Sequence, residues 1–131
     1  MKLLLDTHIF LWLIHDDERL SDKFRQEIHD LNNEIFLSVV SIWECVIKYQ
    51  LRKLSFPHSP EIYLTEQRRK HLIKSLVVDE NSIAQLINLP SIYRDPFDRL
   101  LRSQALQHDL IMVTEDRAIF AYSMIEFLIS K

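Results

Sequence analysis

The chain has 131 residues, of which 47% are apolar and 27% charged, and its formal net charge is −3. This length and composition predict a single soluble globular domain over residues 1–131 and exclude a disordered chain. No apolar run approaches the roughly 18 residues of a membrane-spanning helix, and the first run ends too early for a secretory signal, so we expect a cytoplasmic protein. The absence of glycine excludes the glycine-rich loops that bind nucleotide cofactors.

Short apolar runs alternate with helical patterns along the chain. The runs that predict strands are Met1–Leu5, Ile35–Val40, Leu76–Val78, Leu110–Val113 and, at the edge of the sheet, Ile125–Ile129. Helices are predicted over Ile9–Ile14, Asp22–Leu31, Ile42–Leu54, Glu61–Lys74, a segment ending near Pro90, and Phe97–Leu106. The second helix is predicted to end at Asn32 and Asn33, since Asn tolerates a left-handed turn. Short buried strands separated by helices predict an α/β fold with a parallel sheet.

Carboxylates follow the predicted strands. Asp6 comes after the first run, Glu44 just past the second and Asp116 after the fourth, while Asp98 opens the last predicted helix. Ligands of open α/β sheets bind beyond the carboxyl ends of the strands, where we expect these acids to converge. Ionised carboxylates that share a small pocket need a cation, so the pattern predicts a site for Mg²⁺ or Mn²⁺.

Three of these acids have a structural alternative, which for Asp116 is the cap of a helix that begins near Arg117. The segment from Ser41 to Glu44 fits a capping box with Ser41 as the N-cap, and Glu44 can also pair with Lys48 one turn later. Asp95 and Pro96 resemble the start of a helix, where Asp98 at the third position would be stabilised by the helix dipole. We assign Asp95 mainly to that cap, and the spacing leaves both interpretations of Asp98 open.

The remaining candidates support the acids or compete with them. Glu115 rivals its neighbour Asp116 as the fourth acid, and the sequence leaves the choice open. Thr7 and Thr114 are candidates to hydrogen-bond the acids or bound water, for which β-branched packing at a strand end is the alternative. Lys48 and Arg99, together with Arg102, are candidate phosphate contacts, for which surface ion pairs are the alternative. Lone Cys45 cannot form an internal disulfide and is predicted to lie in the core.

Four segments together resemble the PIN-domain nucleases, and in particular the VapC-like toxins of type II toxin–antitoxin systems. They are Leu3–His8, Ser41–Glu44 with Lys48, Arg94–Leu101 with Gln104 and Ala105, and Val113–Asp116. The resemblance implies a three-layer α/β/α PIN-like fold with a central, mainly parallel sheet of four to five strands. It also implies a divalent-metal-dependent endoribonuclease in which Asp6, Glu44, Asp98 and Asp116 hold Mg²⁺ or Mn²⁺. The implied partners are an RNA substrate, a cognate antitoxin protein and a second copy of the chain.

The sequence departs from the family pattern at two places. Tyr93 stands where close relatives often carry His, and Glu115 to Arg117 differs from the usual residues around the fourth acid. A non-catalytic PIN-like module that binds RNA or protein is the alternative function. The presence of all four expected acids argues against it.

Overall fold

A computed structural model describes residues 1–90, 95–115 and 125–128. Its strands are β1 (Lys2–Leu5), β2 (Glu34–Ser38), β3 (Lys74–Leu76), β4 (Ile111–Val113) and β5 (Phe127–Leu128). Its helices are α1 (Thr7–Ile14), α2 (Asp22–His29), α3 (Val39–Gln50), α4 (Pro60–Lys70), α5 (Glu80–Gln85) and α6 (Pro96–His108), and a 3₁₀ turn at Leu86–Asn88 follows α5. The strands form one parallel sheet in the order β3-β2-β1-β4-β5. The predicted α/β fold with a parallel sheet is therefore confirmed.

Side chains of the central strand β1 point alternately into two hydrophobic cores. Leu3 and Leu5 join the core that α1, α2 and α4 cover. Leu4 joins the core on the other face, which includes α6. All three leucines are fully buried. A strand that is covered on both faces has apolar residues at consecutive positions and not at every second one, which explains the sequence Leu3–Leu5 of β1.

The boundary between β2 and α3 differs from the sequence prediction. The strand ends at Ser38 and the helix begins at Val39, because the Ser38 hydroxyl accepts a hydrogen bond from the amide of Val40 and caps the helix. Ser41 is the N-cap in the structural alternative for Glu44, and the structure does not bear that alternative out. Ser41 lies inside α3, where its hydroxyl accepts a hydrogen bond from the hydroxyl of Thr7, so Glu44 belongs to no capping box.

Several helix ends use a left-handed residue that is not glycine. Asp16, Arg52, Leu72 and Asp109 have positive φ values and lie at or just after the ends of α1, α3, α4 and α6. Asn32 and Asn33 do not, so the predicted left-handed turn after α2 is wrong. The second helix instead ends at His29, with Asp30 in an extended conformation.

The left-handed turn at Leu72 also corrects the third strand. It stops α4 at Lys70 and lets the chain enter the sheet at Lys74, which pairs with Phe36 of β2. The strand therefore occupies Lys74–Leu76 and not the predicted Leu76–Val78. The predicted edge strand is confirmed at Phe127–Leu128, and Ile129 lies outside the described residues.

The topology leaves a crevice between β1 and β4. From β1 the chain first builds outward through β2 and β3, and it then returns to add β4 on the other side of β1. Connections that leave neighbouring parallel strands in opposite directions open a crevice at their carboxyl ends. The residues that follow β1 and β4, Asp6 and Thr114, therefore meet at this crevice. Among the described residues, no helix has the length and apolar character needed to cross a membrane.

Candidate active site

A cleft of about 470 Å³ lies at the carboxyl ends of β1 and β4. Its described lining contains the carboxylates Asp6, Glu44, Asp95, Asp98 and Glu115, and further side chains His8, Ile9, Trp12, Arg19, Lys48 and Thr114. Three predicted site acids, Asp6, Glu44 and Asp98, are thus brought to one cleft from three separate parts of the sequence. Asp116 lies outside the described residues, whereas its rival Glu115 is exposed at the cleft.

Asp6 is held at both carboxylate oxygens. Its Oδ1 accepts a hydrogen bond of 2.8 Å from the amide of Thr7, which makes Asp6 the N-cap of α1. Its Oδ2 accepts a hydrogen bond of 2.7 Å from the hydroxyl of Thr114, at the end of β4. The side chain is only 9% exposed, and a buried carboxylate needs such partners. The contact of Thr114 with an acid, one of its two predicted roles, is present.

Glu44 reaches the cleft from the middle of α3. It is 6% exposed, and its Oε2 lies 2.9 Å from the Lys48 amino group one turn later. Burial alone lowers the pKa of Lys48, but the hydrogen bond and the Coulombic attraction to Glu44 outweigh that effect and raise the pKa above its usual value. Lys48 therefore stays charged near neutral pH and compensates the charge of Glu44.

Asp98 lies in the first turn of α6. The helix is capped by Asp95, whose Oδ1 accepts hydrogen bonds from the amides of Phe97 and Asp98, with Pro96 as the first helical residue. The predicted cap is confirmed. Asp98 accepts a hydrogen bond of 2.8 Å from the guanidinium of Arg102, whose side chain is completely buried. Asp98 is thereby fixed against the body of the helix, and Arg102 is inaccessible to a phosphate.

The donor set of the cleft matches the chemistry of a hard divalent cation. Carboxylate oxygens are the protein ligands that Mg²⁺ favours, and Mg²⁺ commonly takes only one or two of them while it keeps several waters. Over the ranges that the structure describes, no three His, Cys, Asp or Glu side chains are grouped closely enough to hold an ion by themselves. A divalent cation at this place would therefore be held by Asp6, Glu44 and Asp98 together with water and not by these carboxylates alone.

Two further predicted residues have structural contacts. The hydroxyl of Thr7 donates to Ser41 over 2.8 Å, which joins the start of α1 to α3. The guanidinium of Arg99 donates to the carbonyl oxygens of Pro90 and Leu86 and so joins α6 to the chain at the end of α5. Trp12 and Arg19 also line the cleft, although the apolar run around Trp12 indicates a residue of the core or of a dimer surface and Arg19 was not predicted as a site residue. The available signal was the charged sequence Asp16–Arg19 shortly after α1.

The structure defines an α/β protein whose parallel sheet carries an acid-lined cleft at its topological switch point. A family model described as the PIN domain matches residues 3–123. The chain belongs to the PIN domain family.

Similar proteins agree with this assignment. Ribonuclease VapC22 of Mycobacterium tuberculosis (strain ATCC 25618 / H37Rv) is 26% identical over 117 residues, which cover 88% of each chain. VapBC2 from Rickettsia felis, solved bound to a DNA fragment from their promoter, has a TM-score of 0.71 at 16% identity and 98% coverage of both chains. A toxin–antitoxin complex from Klebsiella pneumoniae has a TM-score of 0.63 at 16% identity, again with 98% coverage of both chains. At these identities the two solved structures bear on the fold alone.

Proposed function

We propose that this PIN domain is a divalent-metal-dependent endoribonuclease and the toxin of a toxin–antitoxin pair. The observation that carries the proposal is the convergence of Asp6, Glu44 and Asp98 on one cleft. These are the residues that the resemblance to PIN-domain nucleases selects, and they are separated by more than 30 residues along the chain. The similarity to ribonuclease VapC22 supports RNA as the substrate.

Asp6, Glu44 and Asp98 would hold Mg²⁺ or Mn²⁺, with Asp116 as a proposed fourth ligand. A bound divalent cation lowers the pKa of a coordinated water and neutralises charge on a phosphodiester. The protein needs no nucleophilic side chain for this hydrolysis. Its contribution is to hold the carboxylates in fixed orientations around the place where a phosphate would lie.

The neighbours of the acids provide that orientation. The amide of Thr7 and the hydroxyl of Thr114 fix both oxygens of Asp6. Lys48 and Arg102 hold Glu44 and Asp98 at 2.9 and 2.8 Å. Residues that orient metal ligands in this way typically alter metal affinity or activity about 10–100-fold when they are replaced. Thr7, Thr114 and Lys48 are therefore proposed as positioning residues of the site.

The partners of the proposed toxin are a cognate antitoxin protein and a second copy of the chain, in the cytoplasm. Trp43, the sequence neighbour of Glu44, offers an apolar surface to a partner: it is 55% exposed, and it contacts the partly buried Phe97 edge to face with ring centroids 4.8 Å apart. The similarity to a toxin–antitoxin complex supports an antitoxin. Light scattering of the purified chain should give a dimer, and a monomer at all working concentrations would contradict that part of the proposal.

Cleavage of a mixed RNA and tRNA pool tests the activity. Purified protein should cut RNA with Mg²⁺ or Mn²⁺ and not with EDTA, and Asp6→Asn should abolish cutting because it removes a carboxylate charge at constant volume. Asp95→Asn is the matched control, since Asn also caps helices, and it should retain most of the activity. Equal cutting by Asp6→Asn and the unmodified protein would identify a contaminant and contradict the proposal.

One observation favours a non-catalytic binding module as the second candidate. Each of Asp6, Glu44 and Asp98 already has a protein partner. Titration with Mg²⁺ or Mn²⁺ during thermal unfolding separates the two candidates, because a ligand that binds only the folded state raises the unfolding temperature with the logarithm of its excess. A nuclease site should give this increase at millimolar metal, and Asp6→Asn should remove it. A flat response together with RNA binding would favour the module.

A further inference from the structure

One part of the cleft wall is formed by an aromatic and cationic pair that the metal chemistry does not use. Trp12 on α1 is half-buried and lines the cleft. The guanidinium carbon of Arg19 lies 5.1 Å from the centroid of the Trp12 ring. This distance is within the range of a favourable cation–π contact. We call Trp12 and Arg19 the stacking pair.

Asp17 holds the guanidinium of Arg19 in place. Its carboxylate accepts hydrogen bonds from Nη2 of Arg19 at 2.7 Å and from Nε at 3.1 and 3.2 Å, and it also accepts one from the Arg19 amide at 2.9 Å. These hydrogen bonds from Arg19 lower the pKa of Asp17 to about 2, so the Asp17 carboxylate is fully ionised near neutral pH. A guanidinium with three such hydrogen bonds has lost much of its conformational freedom before any ligand binds.

This restraint contributes little to the fold. The side chain of Arg19 is 69% exposed, and exposed ion pairs add little to the stability of a protein. Asp17 and Arg19 lie between α1 and α2 and belong to neither helix. A planar cation that is fixed at the wall of a cleft and contributes little to folding is suited to contact a ligand.

Of the cations in the described lining, Arg19 is the one that can contact a ligand without leaving a carboxylate of the cleft. The permanently charged cations of the described lining are Lys48 and Arg19, beside five carboxylates. Lys48 is paired with one of those carboxylates, Glu44. Arg19 is paired with Asp17, which is not part of the lining. Arg19 therefore does not neutralise the proposed metal ligands.

We propose that the stacking pair binds one unpaired nucleobase of the RNA, stacked against the guanidinium plane of Arg19, beside the phosphate at the carboxylates. This inference rests on the proposed function and adds a base-binding subsite to it. Single-stranded RNA is recognised by splayed bases that stack on aromatic rings or on arginine planes, and both surfaces are present here in one fixed pair. A double-stranded segment cannot present a base in this way, so the subsite selects single-stranded RNA.

Two substitutions of Arg19 separate a stacked base from a phosphate contact. Arg19→Lys keeps the positive charge and loses the guanidinium plane, whereas Arg19→Gln loses the charge as well. A base-stacking subsite predicts that both variants weaken binding about tenfold, since one stacked base contributes about that factor or more. A phosphate contact predicts that Arg19→Lys binds like the parent. Lys2→Gln is the control for charge, because Lys2 lies at the start of β1 and the cleft lies at the other end of that strand.

The experiment measures binding of a labelled, unstructured RNA oligonucleotide by fluorescence anisotropy, with Mg²⁺ present. Glu44→Gln is the background, so that the RNA stays intact while it binds, and cleavage by the protein with Glu44 is measured in parallel. The stability of each variant is followed by thermal unfolding, which Arg19→Lys should leave unchanged. A second measurement uses the Trp43→Phe variant, in which Trp12 is the one tryptophan: RNA should change its fluorescence, whereas inorganic polyphosphate should not.

Each outcome decides the proposal. Weaker binding by both Arg19 variants, with unchanged stability and a fluorescence response of Trp12 to RNA alone, supports the subsite. Binding by Arg19→Lys equal to that of the parent assigns Arg19 to a phosphate and overturns it, as does unchanged binding by both variants. If the protein with Glu44 cleaves RNA under these outcomes, the inference fails and the proposed function stands. If RNA is neither bound nor cut, both fail.

Discussion

Two groups of buried polar side chains differ in the charge that they carry. In the cleft, the carboxylates of Asp6 and Glu44 are almost fully buried. A second group, around the buried side of α6, contains only neutral side chains that are completely buried: Ser38, Ser82, Ser103 and Gln104. We call this second group the α6 network. In it, Ser38 donates to the Gln104 side chain at 2.5 Å, Gln104 donates to the carbonyl of Val77 at 3.2 Å, and Ser103 donates to the carbonyl of Ser82.

The difference separates a structural group from a functional one. Neutral hydrogen-bonded groups connect α6 to the start of α3, to Val77 and to α5. They do so without the large desolvation cost of buried charge. The cleft retains carboxylates although neutral side chains would fill the same space at a lower cost. Replacement of a residue in the α6 network should therefore lower the free energy of unfolding and leave RNA cleavage unchanged. Replacement of a carboxylate in the cleft should lower RNA cleavage and change the free energy of unfolding little.

The largest effect is expected from Glu44→Gln. The change keeps the volume of the side chain and removes the charge of a proposed metal ligand, and Lys48 can turn to solvent because it is 35% exposed. RNA cleavage should fall at least about a hundredfold, which is the upper range for residues that merely orient a ligand. Thermal unfolding should shift little. Glu80→Gln, at an exposed position of α5, is the control and should cleave normally. Full activity of Glu44→Gln would remove Glu44 from the site.

The next largest effect is expected in the α6 network. Gln104→Met keeps the approximate volume but leaves the Ser38 hydroxyl and the Val77 carbonyl without their Gln104 partner. Leaving such groups unsatisfied typically costs about 1–3 kcal/mol of unfolding free energy. Urea denaturation should detect this loss, while cleavage per folded molecule should be unchanged at 25 °C. A stable but inactive variant would contradict the division between the two groups.

A smaller effect is expected where the cleft meets the fold. Thr114→Val removes the hydroxyl that donates to Oδ2 of Asp6 and keeps the β-branched shape of the side chain. Because Thr114 orients a proposed ligand, we expect cleavage to fall about tenfold and more metal to be required. A titration of activity against Mg²⁺ would measure both effects. Activity that is unchanged at every Mg²⁺ concentration would show that Asp6 does not need this contact.

The smallest effect concerns two neighbours on α3, Glu44 in the cleft and Cys45 in the core. Burial, with a further contribution from the charge of Glu44, raises the pKa of the Cys45 thiol to about 12, from 9.0. The unfolded thiol therefore ionises first, and its contribution to stability is complete below about pH 9 and is lost as the pH rises towards 12. Urea unfolding across this range should show a decline that is shallower in Cys45→Ala. The native thiol should also resist thiol reagents at pH 8.

The strands β1 and β4 and the α6 cap followed from local rules. β1 and β4 are unbroken apolar runs that only a sheet buried on both faces accommodates, and Asp95 with Pro96 is a strong helix start. The start of α3 did not follow, because Ser38 and Ser41 are equally good caps by sequence. Tertiary contacts decided between them: Ser38 joins Gln104, and Ser41 joins Thr7.

The acids of the candidate site could be predicted from the sequence, whereas the side chains that contact them or line the cleft beside them could not. The acids are marked by their positions after strands and at a helix start, which the sequence displays. The partner of Asp6 is Thr114, and the sequence could suggest the contact but not establish it before β4 was known to lie beside β1. Arg19 carries no periodic signal, since its position depends on a turn and on a ring contact with Trp12.

The hydrogen bond between Thr114 and Asp6 joins residues that are 108 positions apart. On the ribosome, the first strand and its carboxylate are made long before β4, and Asp6 then has only its own helix to hold it. A nascent chain that does not yet include Thr114 lacks one of the two hydrogen bonds that hold Asp6 in the cleft. The order of synthesis therefore delays assembly of the proposed catalytic centre until β4 and Thr114 have been made.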